Sequence, residues 1–118
     1  MMNESMILAA YWYYKGKYGS TVIMFRIGNE YQMFLDDARR VFYALNTKVT
    51  LLSPESGTIA TVKLPAENIL DYMDELFMHG IESRLISYRD DDGKYAIPDI
   101  FRLNREVNDD YGQNFSLC

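Results

Sequence analysis

Hydrophobic positions along the chain alternate between helix-like and strand-like periods. From Glu4 to about Lys17, Ile7, Tyr11 and Tyr14 recur at spacings of four and three, with Leu8 and Trp12 on an adjoining stripe. That spacing predicts a helix, closed by Gly16 and Gly19. Thr21 to Ile27 is apolar almost throughout, as for a strand covered on both faces. Gly28-Asn29 suits a two-residue hairpin turn. Glu30 to Phe34 then alternates, with Glu30 and Gln32 on one side of the strand and Tyr31 and Met33 on the other.

Asp36 or Asp37 fits the N-cap of a second helix, in which Ala38, Val41, Phe42 and Leu45 form one apolar stripe. Arg39 and Arg40 fall off that stripe and are expected in solvent. Lys48 to Leu52 and Thr58 to Leu64 read as strands around the turn Pro54-Glu55-Ser56-Gly57. Pro65 suits the first turn of a third helix, with Ile69, Leu70, Met73, Leu76 and Phe77 as its apolar face, His79 near its carbonyl end and Gly80 as its stop. Ser83 to Tyr88 returns as a strand, and Asp91-Asp92-Gly93 turns it towards Lys94 to Ile97. Beyond Pro98, Ile100, Leu103 and Val107 suit a helix, although Asp99 to Leu103 also alternates; the helix is favoured. The expected fold is α/β (mixed α+β): a central mixed sheet of about six strands flanked by about three helices. A single domain is expected over residues 1–107, with a polar C-terminal tail over 108–118.

Composition narrows the classes. With 118 residues, 48% of them hydrophobic and 25% charged, the chain is neither disordered nor low-complexity. Twelve basic against 17 acidic side chains give −5, so no global positive field attracts polyanions. Cys118 is the single cysteine and His79 the single histidine, which excludes an internal disulfide and a zinc site; a terminal reduced thiol is favoured over a Cys–His pair. Asp90-Asp91-Asp92-Gly93 lacks the alternating ligands of a calcium loop and reads as a solvated turn. Phosphate-loop, dinucleotide and nucleophile-elbow glycine motifs are absent, and the carboxylates fall at caps, turns and exposed helix faces. A non-enzymatic protein with no cofactor and no metal is expected. Residues 1–8 lack a basic leader and no apolar run approaches spanning length, so the cytoplasm is the expected compartment. The aromatic row Tyr11-Trp12-Tyr13-Tyr14 could stack on bases, but rings buried against a sheet are favoured.

Thr21 to Ala38, TVIMFRIGNEYQMFLDDA, resembles the N-terminal mismatch-recognition domain of the MutS family of DNA mismatch repair proteins. That family carries an apolar strand, then Arg-Met-Gly-Asp-Phe-Tyr-Glu-Leu-Phe, then an aspartate pair and alanine opening a helix. The matching residues are Arg26 to Phe34 and Asp36-Asp37-Ala38. A second block, Leu64-Pro65, Tyr72, Gly80 and Arg84 to Tyr88, is similar in order and spacing, and the first helix with Tyr11 and Lys15 also fits. The likeness covers about residues 5–90. It implies a sheet of about six strands with three helices, and only the lesion-probing piece of a much longer ATPase.

The departure lies at the reading motif. Mismatch-reading relatives use Phe-x-Glu, the ring wedging into the base stack and the acid bonding the displaced base; here Glu30-Tyr31-Gln32 stands in that place. A glutamate is no wedge, and its charge must approach a negative duplex. Gln32 can still bond a base edge. The family's glycine before Ile/Val-Pro is replaced by Lys63. The candidate DNA-contacting residues are therefore Glu30, Gln32, Arg26 and Lys63. Two functions stay open: a weak DNA-binding module for non-standard duplexes, or the same fold reused as a protein-interaction module. The expected partners are accordingly DNA or another protein, with no membrane and no small-molecule cofactor.

Overall fold

The computed structural model describes residues 4–52 and 59–102. Along the chain run α1 (Glu4–Tyr18), β1 (Val22–Ile27), β2 (Glu30–Phe34), α2 (Leu35–Leu45), β3 (Val49–Leu52), β4 (Ile59–Pro65), a 3-10 turn (Ala66–Asn68), α3 (Ile69–Met78) and β5 (Ser83–Ile86). The strands form one mixed sheet in the order β3-β4-β2-β1-β5, with β1 and β5 parallel and the other pairs antiparallel.

The unbroken apolar run of β1 is explained by helices on both sides of it. Val22 and Met24 enter one core layer with Tyr31, Met33, Val62 and Leu64, covered by α2 and α3. Ile23 and Phe25 enter the other with Phe34, Ile59 and the Ile7, Ala10 and Tyr11 side chains of α1. Gly28, at φ +59, is the first of two turn residues closed by the Ile27–Glu30 pair, the primed geometry whose twist matches the strands. Strand β2 then enters α2 with no linker, the chain turning at Leu35 with φ 55.

Several expectations are corrected. The sheet has five strands among the described residues, not about six. Strand β5 stops at Ile86, and residues 94–97 add no strand: the segment pairs with itself through a single Arg89–Tyr95 bridge. Neither aspartate caps α2, whose N-cap is Phe34 without a side-chain bond. Pro65 ends β4 rather than opening a helix; the 3-10 turn intervenes, and Ala66 N–H donates to the Asn29 carbonyl at 2.9 Å. On α3, Ile69 and Leu76 are buried, yet Leu70 and Phe77 are 68% and 67% exposed. Each lies one residue, about 100°, round the helix from its buried neighbour, beyond the narrow face that the sheet and α2 cover. Gly80, at φ +77, does end α3: it donates to the Phe77 carbonyl while Ile81 donates to that of Leu76, a Schellman cap. His79 sits at the carbonyl end, its Nδ1 3.0 Å from the Glu75 carbonyl.

In the aromatic row Tyr11 is buried, Tyr13 and Tyr14 are half-buried, and Trp12 faces solvent. Burial pushes the Tyr14 hydroxyl above its ordinary pKa. Residues 100–102 are helical. The turn at 54–57, Leu103, Val107, the 108–118 tail and Cys118 lie outside the described residues. Among those described, no helix is long and apolar enough to cross a membrane.

Candidate nucleic-acid interface

Strand pairing fixes which candidates share a side of the sheet. Ile27, Glu30 and Pro65 form the row at the hairpin end, and Phe25, Gln32 and Lys63 the next row on the same side, two residues inward. Side chains directly opposite in an antiparallel ladder point the same way, so Glu30, Gln32 and Lys63 share the α1 side. Glu30 and Lys63 are exposed. Gln32 is only 4% exposed, and its Oε1 has no hydrogen-bond partner. The pleat sets the side, but depth inside a central strand flanked by β1 and β4 sets the exposure. The pair does not present itself to solvent as an equal couple.

Arg26 lies on the opposite side, in the row with Tyr31 and Leu64. Its Nε donates to the Gly28 carbonyl at 2.7 Å, and its guanidinium carbon stands 5.6 Å from the Tyr31 ring centre and 4.5 Å from that of Tyr95. Periodicity gave no sign of Tyr95 or Arg89, which the fold brings to the hairpin turn. Gly28 N–H donates to the Tyr95 carbonyl at 3.4 Å. The Arg89 guanidinium lies 4.2 Å from the Tyr95 ring centre, donates to its hydroxyl at 2.8 Å and to the Gly93 carbonyl at 2.9 Å. Both guanidiniums thus stack on one tyrosine, and no ion pair of either with a carboxylate occurs among the described residues. The usable signal was the placement of Arg89 and Tyr95 on either side of the Asp-Asp-Gly turn.

Two of the neighbouring acids are already engaged. Asp90 Oδ1 accepts from the Asp92 and Lys94 N–H groups at 2.9 and 3.0 Å, an Asx-type turn. Asp91 pairs with Arg102 at 2.8 Å. A groove of about 380 Å³ at the hairpin end is lined by Arg26, Asn29, Pro65, Ala66 and Glu67.

Asp37 ties the elements together at the opposite end of the sheet, at the head of β1. It is 1% exposed; its Oδ2 accepts from Ile23 N–H at 3.0 Å, and its Oδ1 from Lys15 Nζ at 2.9 Å. Arg40, expected in solvent, lies 3.7 Å from Oδ1 and bonds the Ser20 carbonyl; Arg39 makes the exposed pair with Asp36 at 3.0 Å. One carboxylate therefore joins α1, the start of β1 and α2. Burial pushes its carboxyl above the usual 3.8, while the Ile23 N–H and the Lys15 and Arg40 cations pull it back. Burial, and then the Asp37 charge, pushes the Tyr11 hydroxyl up to about 12.

A family model described as MutS domain I matches residues 6–108. The chain belongs to the MutS domain I family. It is 30% identical over 80 residues to the DNA mismatch repair protein MutS of Bacillus pumilus (strain SAFR-032), which covers 68% of this chain and 9% of that protein. Of the aspartate pair that follows the hairpin, the second is the buried junction and the first lies outside. In MutS this domain is involved in mismatch recognition.

Proposed function

We propose that the protein is a non-enzymatic MutS-type recognition domain that contacts duplex DNA from its hairpin end without wedging into mispairs. The Arg26–Tyr95–Arg89 stack carries this reading: two guanidiniums without carboxylate partners flank the turn that precedes Glu30. Such groups suit phosphate oxygens, which position a protein on DNA without reading sequence. Lys63 adds a third cation on the α1 side, whereas Glu30 occupies the wedge position and forfeits stacking. Gln32 contributes no base contact unless it leaves its buried site.

Fluorescence anisotropy with matched, mismatched and branched duplexes, titrated with salt, tests the reading. Expected are low affinity, indifference to mispairs, and a salt slope that falls by about one for each of Arg26→Ala and Arg89→Ala. Glu30→Phe should then create mismatch preference, because base–aromatic stacking is worth about 1–3 kcal/mol, or about five- to 150-fold. Absence of binding at low salt, or arginine variants with unchanged slopes, overturns it.

A second reading, in which the fold serves protein interaction, is favoured by one observation. Helix α3 leaves Leu70, Phe77 and Met78 in solvent, at 68%, 67% and 83% exposure, on a strongly acidic surface.

A further inference from the structure

From Ala66 to Ser83 the chain carries Glu67, Asp71, Asp74, Glu75 and Glu82 and no lysine or arginine. The rest of the chain is balanced, with 12 basic and 12 acidic side chains. The whole excess of −5 therefore sits on α3 and its flanks, where none of the five acids makes an ion pair among the described residues. The same helix exposes Leu70 and Phe77, seven residues apart and so on one flank two turns from each other. Asp74 lies between them on that flank. A groove of about 400 Å³ continues the surface, lined among others by Met73, Phe77, Ile81, Glu82 and Arg84. Arg84 is the cation there, and it is stacked on the Tyr18 ring at 4.2 Å.

We infer that this flank of α3 docks a basic amphipathic helix of a partner protein, with apolar residues against Leu70 and Phe77 and lysines or arginines against Asp71, Asp74 and Glu75. Charge decides the occupant. A second copy would bring the same acidic face against itself. DNA and anionic lipid surfaces are repelled. The segment 103–118 of this chain carries Arg105 against Glu106, Asp109 and Asp110, so it has the wrong sign to cover the flank. A helix repeating apolar residues at i, i+4 and i+7 matches the spacing of Leu70 and Phe77. The inference deepens the protein-interaction reading and stands whether or not the hairpin binds DNA.

The probe is a synthetic amphipathic peptide of about 18 residues with leucine on one face and lysine on the other, long enough to hold a helix. Its controls are a scrambled Lys/Leu peptide of the same composition and a Glu/Leu amphipathic peptide. Calorimetry with the full chain should show binding of the Lys/Leu helix, weakened about tenfold by Phe77→Ala or Leu70→Ala. The triple variant Asp71→Lys, Asp74→Lys, Glu75→Lys should abolish it, with amide shift changes confined to α3 and the groove. These exposed substitutions leave the fold intact by circular dichroism and leave DNA anisotropy unreduced, so failure here is distinct from failure of the duplex reading. Equal binding of the scrambled or acidic peptide, shifts mapping elsewhere, or a dimer dissolved by Phe77→Ala would overturn the inference.

Discussion

Asp37 is the residue whose removal should cost this domain most for its size. Its carboxylate accepts from Ile23 N–H at 3.0 Å and from Lys15 Nζ at 2.9 Å while only 1% exposed. Asp37→Ala leaves a buried N–H at the head of β1 without an acceptor and a largely buried ammonium without its counter-ion. Breaking a buried pair from one side costs about 3–5 kcal/mol. Lys15 also donates to the Thr21 carbonyl at 2.8 Å, which keeps it partly satisfied and favours the lower end of that range. About 3 kcal/mol lowers the Tm of a domain this size by roughly 12 °C. Asp37→Asn keeps an acceptor for Ile23 and should lose about half as much. Urea unfolding followed by circular dichroism measures both, and a double-mutant cycle with Lys15→Met assigns the cause. A coupling energy above about 0.5 kcal/mol marks the pair as the source. Loss below about 1 kcal/mol for Asp37→Ala, or strict additivity with Lys15→Met, would refute the junction.

Three other substitutions test the packing and backbone of the same domain. Gln32→Met replaces a buried amide whose Oε1 is unpartnered with an apolar side chain of similar length, and should raise stability by about 1 kcal/mol in urea titrations. Gly80→Ala meets no atom within 4 Å but must hold φ +77, so it should cost about 1–2 kcal/mol of purely conformational origin, read as a lower urea midpoint with an unchanged slope. The hydroxyl of Tyr11, held neutral to about pH 12 in the folded state against 10.0 unfolded, contributes stability present below pH 10 and lost as pH rises through 12. Tyr11→Phe should therefore lose about 2–3 kcal/mol less than the parent across that window, measured by chemical denaturation at each pH.

Local period carried most of the architecture because the covered strand, the hairpin and the first helix each obey one simple rule. The run from Val22 to Phe25 had to be buried on both sides, and Gly28-Asn29 had to turn. What escaped depended on distances that no period encodes. Leu70 and Phe77 fit an apolar helical stripe equally well whether the covered face is wide or narrow, and only the placement of α2 and the sheet decides. Asp37 and Arg40 looked like a cap and a solvated charge, since local spacing says nothing of Lys15, 22 residues earlier and in contact at 2.9 Å. The resemblance held the hint, because its aspartate pair marked the position without giving the reason. Arg89 and Tyr95 reached the hairpin for the same cause: their bridge is local, but its position against Gly28 is tertiary.

The two surfaces divide the charge of the molecule in a way that makes both proposed functions physically compatible. A net charge of −5 spread evenly would oppose any approach to phosphate. Concentrated on α3 and its flanks, it leaves the remaining surface balanced, and the Debye length of about 8 Å at physiological salt screens most of it from distant groups. Helix α3 runs from the hairpin end, where Ala66 bonds Asn29, to the far end, where Glu82 bonds Val22 at the head of β1. Phe77 and Met78 therefore lie away from the Arg26–Tyr95–Arg89 stack, across the length of the sheet. Glu67 is the exception, lining the groove beside Arg26. Glu67→Gln should accordingly strengthen duplex binding at low salt while leaving peptide docking at Phe77 unchanged. A change in both would mean that the two faces are coupled, and that the acidic helix tunes the hairpin instead of serving a separate partner.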